Sequence, residues 1–139
     1  MREPQFSPGE QEFLFVYGTL LVPEVLEKIT GQKYAMTAAE LSGYKRYSLR
    51  GRVYPGIVKE EGAVVNGMLL ALNGNIGQFD LFEGDEYFRE SVYVMSGGRI
   101  FEAQTYVLKE KYRYLLDAGW SLQKFCENEL GIFLSSEIL

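Results

Sequence analysis

Residues 13–21 read FLFVYGTLL, an apolar run that breaks at Tyr17-Gly18-Thr19. A buried strand needs no glycine at its end, whereas a backbone that must approach another group closely does. Past the break, residues 22–30 read as a short helix, with Pro23 in its first turn and Gly31 just beyond its last. A strand–glycine–helix joint leaves consecutive backbone N–H groups free to hold an anion, and Gly18 would let a ligand lie against them. A tight turn in which Tyr17 simply ends a core strand fits the same local pattern.

Working outward, residues 13–17 read as a buried first strand. Residues 37–41, 44–49 and 54–59 read as short strands separated by Ser42-Gly43 and Gly51-Arg52. Glu60-Glu61-Gly62 reads as a turn, and residues 63–72 as a long apolar strand with Gly67 as a candidate bulge. Pro55 cannot donate to a ladder, so Tyr54-Pro55-Gly56 belongs to an edge or a kink, where Tyr54 either lines a pocket or simply packs. Asn75 is placed to cap a helix over IGQFDLFEG, residues 76–84. A strand over residues 89–95, with Val92 and Val94 on one face, leads to a hairpin turn at Ser96-Gly97-Gly98-Arg99. Phe101, Ala103, Thr105 and Val107 share one face of the return strand. Residues 120–130 read as an amphipathic helix. About six or seven short strands with two or three helices that do not alternate regularly predict an α+β fold, its sheet curled into a small mixed barrel.

The 139 residues suit a single domain over 13–139 behind a flexible tail at 1–12. A net charge of −5 argues against a nucleic-acid partner, because phosphate contacts need a basic face. The tyrosines interleaved with basic residues, Tyr44/Tyr47 and Tyr112/Tyr114, then read as half-buried strand faces. No apolar run is long enough to span a bilayer, and the first twelve residues hold no apolar signal region. The single Cys126 cannot form an internal disulfide, which fits a reducing cytoplasm. The absence of histidine excludes His-based triads, Cys–His dyads and His-ligated metals. A carboxylate remains as the group to move protons near neutral pH.

Glu83 is the candidate. On a helix beginning near Ile76 it follows Ile76 by seven positions and Phe79 by four, on the apolar face. Burial there raises a carboxyl pKa towards neutrality, as a general base–acid requires. A structural ion pair from Glu83 to Arg89 or a lysine, or a cap on a backbone turn, fits the same pattern. Asp80, Asp85 and Glu86 fall on other faces and read as solvated. The cluster of Asp80, Glu83, Asp85, Glu86 and Glu90 does not match the spacing of a calcium loop, so no metal is expected.

FVYGTL (residues 15–20), YPGI (54–57), LFEGDEYFRESVYV (81–94), AQTYV (103–107) and the late WSLQKF (120–125) together resemble the gamma-glutamylcyclotransferase-like superfamily. Within it the resemblance is to the AIG2-like and gamma-glutamylamine cyclotransferase branch, over roughly residues 13–134. It implies a small mixed β-barrel with flanking helices and a pocket holding one catalytic carboxylate, which maps onto Glu83. Tyr17, Gly18, Thr19 and Leu20 map onto the substrate-binding loop. Tyr54, Tyr87 and Arg89 match motif positions at the substrate, the last two equally placed to hold the Glu83 loop. The implied reaction cyclises a γ-glutamyl group to 5-oxoproline and releases an amine, with no metal, nucleotide or covalent nucleophile required. The implied partner is a small-molecule γ-glutamyl substrate, taken by a monomer or homodimer. Two other readings stay open: a related γ-glutamyl-processing enzyme of a biosynthetic pathway, and a catalytically silent small-molecule binding protein. An intact Glu83 and YGTL favour an enzyme.

Overall fold

The first strand, β1 (Phe13–Val16), is buried on both faces. Leu14 and Val16 pack towards the helices, while Phe15 packs into the sheet interior. That double burial is why its sequence is a continuous apolar run rather than an alternating one. In the computed structural model, which describes residues 11–135, β1 is one of five strands in a closed barrel. The others are β2 (Met36–Ser48), β3 (Pro55–Ala71), β4 (Tyr87–Ser96) and β5 (Arg99–Leu108). The order around the barrel is β1-β3-β2-β4-β5. β1 runs antiparallel to β3, with Phe13 opposite Ala71, and parallel to β5 at Leu14–Gln104. The barrel-like α+β fold read from the sequence is present, with five strands in place of six or seven.

The count differs because of one shared bend. Residues 36–71 form two long strands rather than four short ones. Their ladder runs from Met36–Leu70 to Ser42–Val64, breaks, and resumes at Tyr44–Lys59. Gly43 and Gly62 lie at the break with φ of 87° and 85°, a conformation that only glycine adopts at low cost. The turn expected at Glu60-Glu61-Gly62 is therefore a bulge inside β3. Gly67, the expected bulge, sits instead in regular register opposite Ala39. A Cβ there would lie 2.2 Å from Val16 O and 2.8 Å from the Phe15 ring, so this glycine admits the close passage of β1.

Four α-helices among the described residues, with short 3-10 turns, cover one side of the barrel. They are α1 (Pro23–Thr30), α2 (Ile76–Glu83), α3 (Leu122–Asn128) and α4 (Leu130–Leu134). Pro23 begins α1 and Gly31 ends it in the left-handed region, its N–H donating to Glu27 O at 2.7 Å. Asn75 stands at the N-cap of α2 but does not cap it; its amide donates to the Tyr34 hydroxyl and, at 3.1 Å, to Gln78 Oε1. The single helix expected over 120–130 is α3, capped by Ser121, followed by α4. Of the expected N-terminal tail, only Gln11 and Glu12 are described. Gln11 Nε2 donates to Leu72 O at 2.6 Å, and Leu72 N donates to Glu12 O at 2.9 Å. The rest of that tail lies outside the described residues. No described helix is long and apolar enough to cross a membrane.

Two apolar clusters form the core. One fills the barrel with Phe15, Tyr17, Ile57, Leu69, Val94 and Val107. The other joins β1 to the helices through Leu14, Leu20, Val25, Phe79, Tyr87 and Phe125. Each fully buried side chain of this size contributes about 1.5–3 kcal/mol relative to exposure. Tyr17 belongs to the first cluster and Leu20 to the second, so the break after β1 falls on the seam between them.

Candidate active site

A cavity of about 260 Å³ opens at that seam. Its walls are the loop Tyr17-Gly18-Thr19-Leu20, Tyr54 and Pro55 at the start of β3, and Leu81, Phe82 and Glu83 at the end of α2. Tyr87, Tyr106, Phe133 and the β1 residues Phe15 and Val16 complete it. Seven of the eight residues singled out in the sequence therefore meet in one pocket. Arg89 is not part of its lining.

The loop turns through a 3-10 turn at Thr19–Leu21. Leu21 N donates to Gly18 O at 2.9 Å and Val22 N to Thr19 O at 3.1 Å. The N–H groups of Gly18, Thr19 and Leu20 have no acceptor among the described residues. All three residues line the cavity, so a bound anion has donors available there. Gly18 is also constrained by Pro55. A Cβ on it would meet Pro55, at 2.8 Å from Cγ and 2.9 Å from Cδ. A close approach that demands glycine is thus made to the start of β3, at a residue that lines the same cavity.

Glu83 ends α2. The next residue, Gly84, has φ 74° and ψ −158°, a region essentially restricted to glycine, and it turns the chain into β4. Glu83 forms no hydrogen bond or ion pair among the described residues. It is partly exposed, and the surface it keeps opens on the pocket. Desolvation raises its carboxyl from an ordinary 4.5 to about 8.

Its neighbours three positions away on either side behave differently. Asp80 accepts from the Tyr106 hydroxyl at 2.6 Å and pairs with Arg89 Nε at 3.1 Å. Glu86 accepts from Arg52, whose Nε lies at 3.0 Å, and from the Tyr54 hydroxyl at 3.0 Å. The Arg52 bond holds the Glu86 carboxyl below its ordinary value. Neither acid is simply solvated, as the sequence had suggested; each locks a pocket tyrosine. Arg89, a candidate partner of Glu83, is committed to Asp80 and to Gln104 Oε1 at 3.1 Å.

The remaining tyrosine hydroxyls are also committed. Tyr17 donates to Tyr106 O at 2.6 Å and Tyr87 to Pro55 O at 2.5 Å. Burial pushes both phenols well above their ordinary value. Among the described residues, Glu83 is thus the one lining side chain that can exchange a proton near neutral pH. No lysine or arginine among the described residues lines the cavity.

Sequence reasoning missed Tyr106 and Phe133 as pocket walls. Tyr106 lies between the inward-facing Thr105 and Val107, and only that alternation marks it as pointing to the other face. Phe133 comes from α4 and stacks edge-on against Phe82, ring centres 6.2 Å apart. Nothing in the local sequence around Phe133 announces that contact.

The family model for gamma-glutamyl cyclotransferase, AIG2-like, matches residues 14–122. The chain belongs to that family. Among relatives of this AIG2-like chain, AIG2-like protein C of Arabidopsis thaliana is 33% identical over 127 residues, 88% of this chain and 74% of the relative. Protein AIG2 C of the same plant is 32% identical over 123 residues, 86% and 74% of the two chains. The solution structure of At3g28950.1 from Arabidopsis thaliana superposes with a TM-score of 0.71 at 28% identity, over 94% of this chain and 81% of that one. A solved gamma-glutamyl cyclotransferase superposes with a TM-score of 0.64, covering 72% of this chain and 68% of the other. At 21% identity that likeness concerns the fold alone.

Proposed function

We propose that this AIG2-like protein cyclises a γ-glutamyl amide to 5-oxoproline and releases the amine, with Glu83 as the proton carrier. The observation that carries this reading is a carboxyl unpaired among the described residues, raised to about 8, in the same small pocket as a loop whose N–H groups have no acceptor there.

The chemistry asks little of a protein. The substrate's α-amine attacks its own γ-carbonyl carbon, and a C–N bond forms to close a five-membered ring. Glu83 takes the proton lost by the attacking nitrogen. It then gives that proton to the departing nitrogen as the original amide C–N bond breaks. One carboxyl with a pKa near the working pH serves both transfers. Curling the substrate supplies proximity, worth up to roughly 7–11 kcal/mol for a well-oriented intramolecular attack. The N–H groups of Gly18, Thr19 and Leu20 hold the substrate's α-carboxylate, since the described lining offers that charge no cation.

The test is a panel of γ-glutamyl amines and γ-glutamyl dipeptides, incubated with the protein in the presence of chelator and assayed for 5-oxoproline. Release that disappears in Glu83→Gln supports the reading. Silence across the panel from a folded protein contradicts it and leaves the related γ-glutamyl-processing enzyme and the binding protein as the readings.

A further inference from the structure

No cation among the described residues lines the cavity, yet one bonds the backbone of its loop. Arg46, in β2, is half-buried. Its Nη1 donates to Tyr17 O at 2.7 Å and, more weakly, to Asn66 O at 3.4 Å. Its guanidinium lies over the Trp120 ring, with Cζ 5.8 Å from the ring centre. Trp120 is itself fixed, its Nε1–H donating to Val53 O at 2.8 Å. No carboxylate among the described residues pairs with Arg46. Among the described residues this half-buried guanidinium meets carbonyls and an indole and no carboxylate, which leaves its positive charge uncompensated there.

The carbonyl it bonds matters. Tyr17 O belongs to the same peptide group as Gly18 N–H, one of the unbonded donors on the pocket wall. Donation into that carbonyl fixes the plane of the peptide and polarises it, strengthening the N–H on the opposite side. The charge of Arg46 then acts through the loop on whatever anion the loop holds.

We infer that Arg46 is the charge anchor of the pocket, a positioning residue that acts through the Tyr17–Gly18 peptide to hold the substrate's α-carboxylate. The inference rests on the γ-glutamyl reading of the site. It separates two roles that one hydrogen bond can serve. A donor that only satisfies the Tyr17 carbonyl supports charged and uncharged ligands alike. A charge anchor favours the anion.

The experiment is calorimetric binding in a Glu83→Gln background, so that the ligand is not consumed. The two ligands are a γ-glutamyl amide and the same molecule with an α-carboxamide in place of its α-carboxylate. Adding Arg46→Gln is expected to weaken the carboxylate ligand about tenfold, the scale of one charge-assisted hydrogen bond, and to leave the carboxamide within about twofold. Adding Arg46→Lys, which keeps the charge, is expected to recover most of the loss. Thermal melts establish that each variant is folded. Equal weakening of both ligands, or no change in either, overturns the inference. Binding of neither ligand to the parent overturns both the inference and the γ-glutamyl reading. Charge-selective binding without 5-oxoproline release by the wild type overturns only the catalytic reading.

Discussion

Gly18 and Pro55 are in such close contact that a Cβ on the glycine would lie 2.8 Å from the proline Cγ. This contact sets how near the loop after β1 lies to the start of β3. Both residues line the cavity, so the contact also sets its width at that wall.

Gly18→Ala should therefore push the loop away from Pro55. We expect a stability loss of about 1–3 kcal/mol, the scale of an overpacked core site, together with weakened γ-glutamyl binding. A melting temperature and ligand affinity equal to those of the wild type would show that the loop yields freely.

Gly84→Ala tests how Glu83 is aimed. The φ of 74° and ψ of −158° at Gly84 lie in a region that an L side chain occupies only at a cost of about 1–3 kcal/mol. The variant is expected to melt lower and to lose turnover more than fold, because the strain is relieved by moving the residue next to it. Chemical denaturation and 5-oxoproline release, measured side by side, check the prediction.

Glu83 and Glu86 should act on stability with opposite signs. The carboxyl of Glu83 is raised in the folded state from 4.5 to about 8, so between those values the folded chain holds a proton that the unfolded chain has lost. Stability must then fall as pH rises through that window. Glu83→Gln removes this slope and leaves the protein folded. Glu86 is lowered by Arg52, so its contribution is present above its ordinary value and is lost as pH falls through its folded value. Glu86→Ala should lower stability near neutral pH, by removing the Arg52 pair and freeing the Tyr54 hydroxyl, and less so in acid. Denaturation midpoints of the three proteins across pH decide both signs.

Several parts of this molecule are legible without coordinates because their causes are local. Pro23 and Gly31 punctuate α1, the paired glycines at 97 and 98 close the β4–β5 hairpin, and Glu83 follows Phe79 by one helical turn. Causes that act at a distance were not legible. The long strands β2 and β3 bend together at Gly43 and Gly62, and either glycine alone reads as a turn. Gly67 is glycine because β1 passes over it, not because its own strand bulges. Asp80 and Glu86 look solvated until Arg89 and Arg52 arrive from β4 and from the segment before β3. In the pocket, the motif segments supply the loop and the acid. Phe133 enters from α4, and its place is set only by tertiary packing.

The central claim is that one uncompensated carboxyl drives a cyclisation. The most direct measurement is 5-oxoproline release from the best γ-glutamyl amide of the panel, by wild type and Glu83→Gln, from about pH 5 to pH 10. The account predicts a wild-type rate that climbs with pH and levels off beyond the Glu83 value of about 8, and a Glu83→Gln rate lower by at least about a hundredfold throughout. A Glu83→Gln protein that is folded and releases 5-oxoproline at the wild-type rate would contradict it.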